Sequence, residues 1–287
     1  MSVADVHRVA VVGAGTMGSG IGQVFAQAGY GVTLYDVSTA AVNRAVQTVQ
    51  SSLNRFVEKQ KLDAAERDTI MARISPTTSF ELLSHADFVV EAVSESLAIK
   101  QDVFRSLDQI TRPGCVLASN TSSISITKLA AQTRRPEFVL GMHFMNPVPL
   151  MTLVEIIRGE MTAPYALALA KALCERLGKT AVEAADYPGF ISNRVLMPMI
   201  NEAMFAVMEG VGTPDAIDTV MRLGMNHPMG PLTLADFIGL DVCLSILNVL
   251  YEGFGDPKYR PCPLLRRMVD AGQLGRKSGR GFYEYKK

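Results

Sequence analysis

Four polar residues stand where apolar runs of the chain end, and their types suit acid–base work on a small oxygen function. His143 lies in GMHFMNP, at the carboxyl end of an expected strand. Ligands of open α/β sheets bind at such ends, and an imidazole titrates near neutrality, so His143 is a candidate general acid or base. The structural alternative is a buried histidine bonded to a backbone carbonyl. Glu155 interrupts the apolar run MTLVEII twelve residues later. A buried carboxylate must be paired or face a cavity. His143 is a natural partner, and the pairing would orient the imidazole and raise its proton affinity. Pairing with Arg158, or exposure on a sheet edge, remains open. Ser122, in the turn SNTSS after CVLA, either aims a hydroxyl at a substrate oxygen or caps a helix. Asn193, in PGFISNR, either donates its amide to a substrate oxygen at a domain seam or caps a helix. Asn146 and Lys100 are further polar groups near expected strand ends.

These residues need a scaffold, and the chain announces one at 8–36. A β-rich run, Arg8–Val12, meets Gly13, Gly15 and Gly18 in G-x-G-x-x-G spacing; a helix-forming stretch and a second apolar run, Gly31–Tyr35, follow. Gly13 permits a sharp turn, Gly15 lets a pyrophosphate approach the backbone, and Gly18 lets the helix pack closely on the sheet. The helix N-terminus then faces the phosphates. Asp36 comes eighteen residues after Gly18, where a carboxylate can accept from an adenosine ribose and would repel a 2′-phosphate. The stretch therefore predicts dinucleotide binding, with NAD favoured over NADP. A glycine-rich turn that binds nothing is the alternative.

Beyond Asp36, residues 38–60 predict a helix, with Val42, Val46, Val49, Leu53 and Phe56 forming one apolar stripe. Helix is also expected over 63–73, 97–110, 124–132 and 163–177, the last capped by Thr162. Strand is expected over 74–78, 86–92, 115–118, 138–144, 153–157 and 180–184. The alternation predicts a mostly parallel sheet covered on both faces. The texture changes at Asp186-Tyr187-Pro188-Gly189. Residues 191–209, 214–223, 232–238, 242–251 and 263–271 read as helix, with a kink at Pro198. We therefore expect a dinucleotide domain over 1–186 and an all-helical domain over 187–287. Met197, Met199, Ile200, Met204, Phe205, Val207 and Met208 make the first helix of that second domain strongly apolar. Such a face suits a second copy of the chain, so a homodimer is expected; packing against the first domain is the alternative.

The 28 basic and 28 acidic residues cancel, which gives no reason to expect nucleic acid or an anionic membrane as partner. Cys115, Cys174, Cys243 and Cys262 are scattered and predict neither a disulfide frame nor a zinc site. No apolar run reaches the roughly 18–20 residues of a membrane span, and the first strand begins too early for a signal peptide. A cytoplasmic protein is the expectation.

Together GAGTMGSGIGQVFAQAG, SNTSS, HFMNPVPLMTLVEII, DYPGFISNR, GMNHPMGPLTLADFIGLD and GRKSGRGFYEY resemble the short-chain L-3-hydroxyacyl-CoA dehydrogenases, nearest to their bacterial 3-hydroxybutyryl-CoA branch. The resemblance spans essentially the whole chain. It implies a Rossmann-like doubly wound α/β sheet followed by a smaller all-α domain, and the reversible NAD-linked oxidation of an (S)-3-hydroxyacyl-CoA to a 3-ketoacyl-CoA. It also implies His143 and Glu155 as the catalytic pair, with Ser122 and Asn193 on substrate oxygens. Cofactor contacts are implied at Gly13, Gly15, Thr16, Met17, Gly18, Asp36, Glu95, Lys100, Ser122, Asn146 and Lys277. Coenzyme A contacts are implied at Ser52, Lys59 and Ser122. No metal is implied. A dehydrogenase of a free β-hydroxyacid, or a non-catalytic relative of the λ-crystallin kind, are the competing readings.

Overall fold

The structure, a computed structural model, describes residues 3–285. The apolar runs of its first part become β1 (Arg8–Val12), β2 (Gly31–Tyr35), β3 (Ile74–Thr77), β4 (Phe88–Glu91), β5 (Val116–Ser119), β6 (Val139–Phe144), β7 (Leu153–Arg158) and β8 (Thr180–Ala185). They form one sheet in the order β3-β2-β1-β4-β5-β6-β7-β8. Neighbours are parallel except β6 and β7, which are antiparallel. Strands β4, β5 and β6 are buried at every residue, which is why they read as unbroken apolar runs rather than alternating ones. The order runs outward in both directions from β1 and β4. The carboxyl ends of those two strands are therefore the topological switch point at which such sheets bind ligands.

The helices of this part are α1 (Thr16–Gln27), α2 (Thr39–Glu58), α3 (Ala64–Ala72), α4 (Leu97–Ile110), α5 (Ile126–Ala130) and α6 (Pro164–Arg176). The Ser38 side chain accepts from Ala41 N–H and starts α2, which buries Val42, Ala45, Val49 and Leu53 against the core. Fully burying side chains of that size stabilises by about 1.5–3 kcal/mol each. Thr162 does not cap α6. Its hydroxyl donates to the Val139 carbonyl and accepts from Gly159 N–H, while Ala163 holds the cap position and Pro164 supplies the first turn. Helix α5 is shorter than the sequence predicts. Asp186 at the end of β8 accepts from Ile126 N–H and Thr127 N–H and fixes its start, and Ser125 caps it.

The chain divides into compact units at Met1–Asp186 and Tyr187–Lys287. The second holds α7 (Ser192–Met208), α8 (Pro214–Thr219), α9 (Pro231–Ile238), α10 (Leu240–Phe254) and α11 (Pro263–Asp270), with a π-helical turn over Val220–Gly224. Helix α7 is unbroken through Pro198. The apolar residues assigned from sequence to a dimer face lie elsewhere. Met197, Ile200, Met204 and Phe205 are buried in the unit's own core, and Met199, Val207 and Met208 pack against it. Helices α9, α10 and α11 supply the partner surface, a possibility the helical periodicity could not distinguish from a second copy. Among the described residues no single helix is long and apolar enough to cross a membrane.

Candidate active site

The glycine turn is built as its spacing demands. Gly13 has φ of +106°, and a Cβ there would lie 2.5 Å from the Ala92 carbonyl oxygen at the end of β4. A Cβ on Gly18 would fall 1.7 Å from the Gly13 carbonyl oxygen, so the first turn of α1 can approach β1 only with glycine there. A Cβ on Gly15 would meet nothing within 4 Å. Packing therefore does not require this glycine, and the open space in front of it is where a ligand phosphate would reach the helix N-terminus. Asp36 ties the turn to β2: one carboxylate oxygen accepts from Ala14 N–H at 2.9 Å and the other from Ser38 N–H at 3.0 Å. Gly13, Gly15, Asp36, Val37, Val93 and Ile99 line a cleft of about 640 Å³ at this switch point. Its size, its apolar sides, Asp36 beside the turn and its open glycine fit the adenosine half of NAD.

His143 and Glu155 are direct cross-strand partners on β6 and β7. Nδ1–H of His143 donates to Glu155 Oε2 at 2.8 Å, and the two residues are only 7% and 2% exposed. The carboxylate holds that ring hydrogen on Nδ1 and leaves Nε2 for exchange with a ligand. Nε2 lies 3.1 Å from Ser122 Oγ. The structure thus favours the His143 partner for Glu155 over Arg158, whose guanidinium lies 3.5 Å from Glu183.

Ser122 is held by Glu95. One oxygen of Glu95 accepts from Thr121 Oγ1 at 2.6 Å, Ser122 N–H at 2.9 Å, Ser123 N–H at 3.1 Å and Ser123 Oγ at 3.0 Å. Partial burial pushes this carboxyl upward, but the Lys100 ammonium and these hydrogen bonds outweigh it and keep its pKa below the ordinary value. Lys100 is 1% exposed, with its ammonium on Glu91, so here it faces carboxylates rather than the cleft.

The other sequence-assigned residues are more dispersed. Ser52 and Asn146 line a second cleft of about 410 Å³ together with Thr16, Arg44, Arg55 and Pro147. Lys59 stands exposed as the C-cap of α2. Met17, in the first turn of α1, packs against the core. In the helical unit, Lys277 donates to Asp241 at 2.6 Å. Asn193 is the second residue of α7, buried, with its backbone N–H on the Gly189 carbonyl at 3.1 Å.

Three supporting residues escaped the sequence reading. Asn120 accepts from Phe144 N–H at 2.9 Å, beside His143. Glu91 lies beneath the Ser122 turn and bonds Ser119 Oγ at 2.7 Å. Lys179 donates to the Val148 and Met151 carbonyls at 2.8 and 2.6 Å and pins the loop after Asn146; burial pushes its pKa down. Only Glu91 had a signal, an acid at the end of an apolar strand.

A doubly wound sheet with this turn, and an imidazole–carboxylate pair at a strand end, defines an NAD-linked oxidoreductase. The 3-hydroxyacyl-CoA dehydrogenase NAD-binding domain profile matches residues 8–187, and the C-terminal domain profile of the same family matches 189–285. The chain is 56% identical over 281 residues to a probable 3-hydroxybutyryl-CoA dehydrogenase of Bacillus subtilis, covering 98% of each chain. It is 49% identical to a 3-hydroxybutyryl-CoA dehydrogenase of Bradyrhizobium diazoefficiens, covering 99% of this chain and 97% of the relative. The crystal structure of (S)-3-hydroxybutyryl-CoA dehydrogenase from Ralstonia eutropha superposes with a TM-score of 0.97 at 50% identity, covering 99% and 100% of the two chains. The chain belongs to the 3-hydroxyacyl-CoA dehydrogenase family.

Proposed function

We propose that the chain interconverts a short (S)-3-hydroxyacyl-CoA, 3-hydroxybutyryl-CoA in the first instance, and its 3-ketoacyl-CoA. The observation that carries the mechanism is the Glu155–His143–Ser122 line, its acid and imidazole buried and Nε2 its catalytic nitrogen. The chemistry that bound NAD would supply is that of a hydride acceptor for C3 of the hydroxyacyl group. His143 Nε2 takes the proton of the 3-hydroxyl in oxidation and returns it in reduction. Glu155, already bonded at Nδ1, stabilises the imidazolium that results. Ser122 Oγ donates a fixed hydrogen bond toward the reacting oxygen, a preorganised donor of the kind that favours a charged transition state. Asp36, Gly13, Gly15 and Gly18 would hold the dinucleotide. Asn193 and Lys277 keep the substrate and cofactor roles that the family resemblance implies for them.

The coenzyme A reading is supported by the cleft at Ser52, where Arg44 and Arg55 of α2 give cationic walls suited to phosphates. The deciding experiment follows NADH absorbance with acetoacetyl-CoA and with free acetoacetate. Turnover of the thioester alone is expected; equal turnover of the free acid would remove the coenzyme A assignment. Homodimerisation through the helical unit remains our reading, now on a different basis: Val220, Leu223, Met225 and Phe237 are each more than half exposed. Sedimentation at micromolar concentration tests it, and a monomer refutes it. We also place the protein in the cytoplasm, since all four cysteines are free and buried; cell fractionation tests this.

A further inference from the structure

The hydrogen bonds around Ser122 do not stop at Glu95. The second oxygen of Glu95 lies 3.4 Å from Lys100 Nζ, and that ammonium donates to Glu91 Oε1 at 2.7 Å. Glu91 closes β4 with none of its surface exposed, Lys100 is 1% exposed, and Glu95 is the only one of the three in reach of solvent, its side chain 41% exposed. A carboxylate so deep needs a counter-charge and partners for its remaining lone pairs. Glu91 has both. Oε1 also accepts from Val93 N–H at 2.7 Å, and Oε2 accepts from the Ser119 hydroxyl at 2.7 Å. Its backbone carbonyl accepts from Asn120 N–H at 2.7 Å, and Asn120 in turn accepts from Phe144 N–H.

One residue thus holds the Ser122 turn at two places. It fixes the turn's entry at 119–120 directly. It fixes 121–123 through Lys100 and Glu95. Without the Glu91 charge, the Lys100 ammonium would have Glu95 as its only carboxylate partner. Their 3.4 Å separation would shorten, drawing Glu95 off the Ser122 and Ser123 amides.

We propose that Glu91 is a positioning residue for the reaction: through Lys100 and Glu95 it sets the distance between Ser122 Oγ and His143 Nε2. This rests on the reading of His143 and Ser122 given above. A purely structural Glu91 would lower activity by the same factor whatever stands at 122. A residue acting through Ser122 loses its effect once that hydroxyl is gone. A double-mutant cycle separates the two.

The experiment measures kcat for acetoacetyl-CoA reduction in Glu91→Gln, Ser122→Ala and the double variant, with folding checked by circular dichroism. Bonds to charged groups are worth enough that each single variant should lose about tenfold or more in kcat. The double variant should fall within about twofold of Ser122→Ala alone, the margin of ordinary additivity errors. Equal losses from Glu91→Gln in both backgrounds, or no loss, overturn the proposal. Unchanged kcat in Ser122→Ala, read from that variant alone, overturns instead the role of Ser122, and the relay with it. Should Glu91→Gln not fold, Glu91→Asp keeps the buried charge but draws it back from Lys100 by one methylene, and carries the same cycle. A loss of about threefold or more that vanishes in the Ser122→Ala background supports the relay, and a loss that persists there, or none, overturns it.

Discussion

Gly15 and Gly18 lie three residues apart in one turn, yet the structure gives alanine opposite fates at the two. At Gly15 the backbone is ordinary, with φ of −74° and ψ of −167°, and an added Cβ meets nothing within 4 Å. Alanine there gains about 0.4–1 kcal/mol by stiffening the unfolded chain. It loses a comparable amount, about 0.5–1 kcal/mol, because glycine is the better N-cap. The two nearly cancel, so Gly15→Ala should hold Tm within about 2–4 °C of the parent in a chain of this size. On the proposed dinucleotide binding, however, its methyl would stand between the pyrophosphate and the helix amides. Hydrogen bonds to a charged group contribute about 1.5–3 kcal/mol each, so losing even one weakens NADH by about tenfold to a hundredfold. At Gly18 the Cβ would sit 1.7 Å from the Gly13 carbonyl oxygen and 2.9 Å from its carbon. Relief requires moving backbone, which costs about 3 kcal/mol or more, or about 6–12 °C in Tm. Differential scanning fluorimetry without ligand reads the first quantity, and NADH fluorescence titration the second. Unchanged NADH affinity in Gly15→Ala, or a Tm loss in it as large as in Gly18→Ala, would refute the division of labour between these glycines.

Glu155→Gln keeps an acceptor for Nδ1–H but removes the charge, so kcat should fall by about ten- to a hundredfold, the range for a hydrogen bond to a charged partner; a loss under twofold in the NADH-linked assay would separate Glu155 from catalysis. Asp36→Ala should lower the preference for NADH over NADPH, because the carboxylate that repels a 2′-phosphate is gone; unchanged kcat/KM ratios with the two cofactors would remove Asp36 from selectivity. The depressed pKa of Glu95 has a thermodynamic sign: its contribution is present above the ordinary glutamate value and is lost as pH falls through the lower, folded-state value. Tm should therefore fall more steeply between about pH 5 and about pH 3 in the parent than in Glu95→Gln. Parallel curves would show that the Lys100 and Ser122 contacts do not stabilise the charged form.

The dinucleotide half of the site was readable because glycine spacing, strand, helix and acid are all local in sequence. His143 and Glu155 were also within reach, since each is a polar residue in an apolar strand. What the sequence pattern did not specify was the direction of β7. The connection spans only residues 145–152, too short for a parallel crossover, and that length was the available clue. The Glu91–Lys100–Glu95 relay was harder to see. It depends on which way three side chains turn at the end of β4 and the start of α4, and sequence spacing carries no such information. The apolar stripe of α7 misled for a related reason. Periodicity shows that Met197, Ile200 and Met204 face something, but not that α9 and α10 of the same unit are what they face. Thr162 was misplaced because Pro164 already serves the helix start, which freed the hydroxyl for Val139.

Because His143 and Glu155 face each other across β6 and β7, the acid is delivered by strand pairing and not by a flexible arm. Side chains alternate between the two sheet faces, so sliding β7 by one residue would carry Glu155 to the opposite side and bring an aliphatic neighbour to the imidazole. The dyad is in that sense digital: registered or absent, with no gradual drift between. A codon gained or lost between Glu155 and Arg158 would set the pairing of Glu155 with His143 against that of the rest of β7 with its neighbours, whereas the same change in the loop over 145–152 can be absorbed before pairing begins. Length variation in this lineage should accordingly collect in the loop and spare the strand.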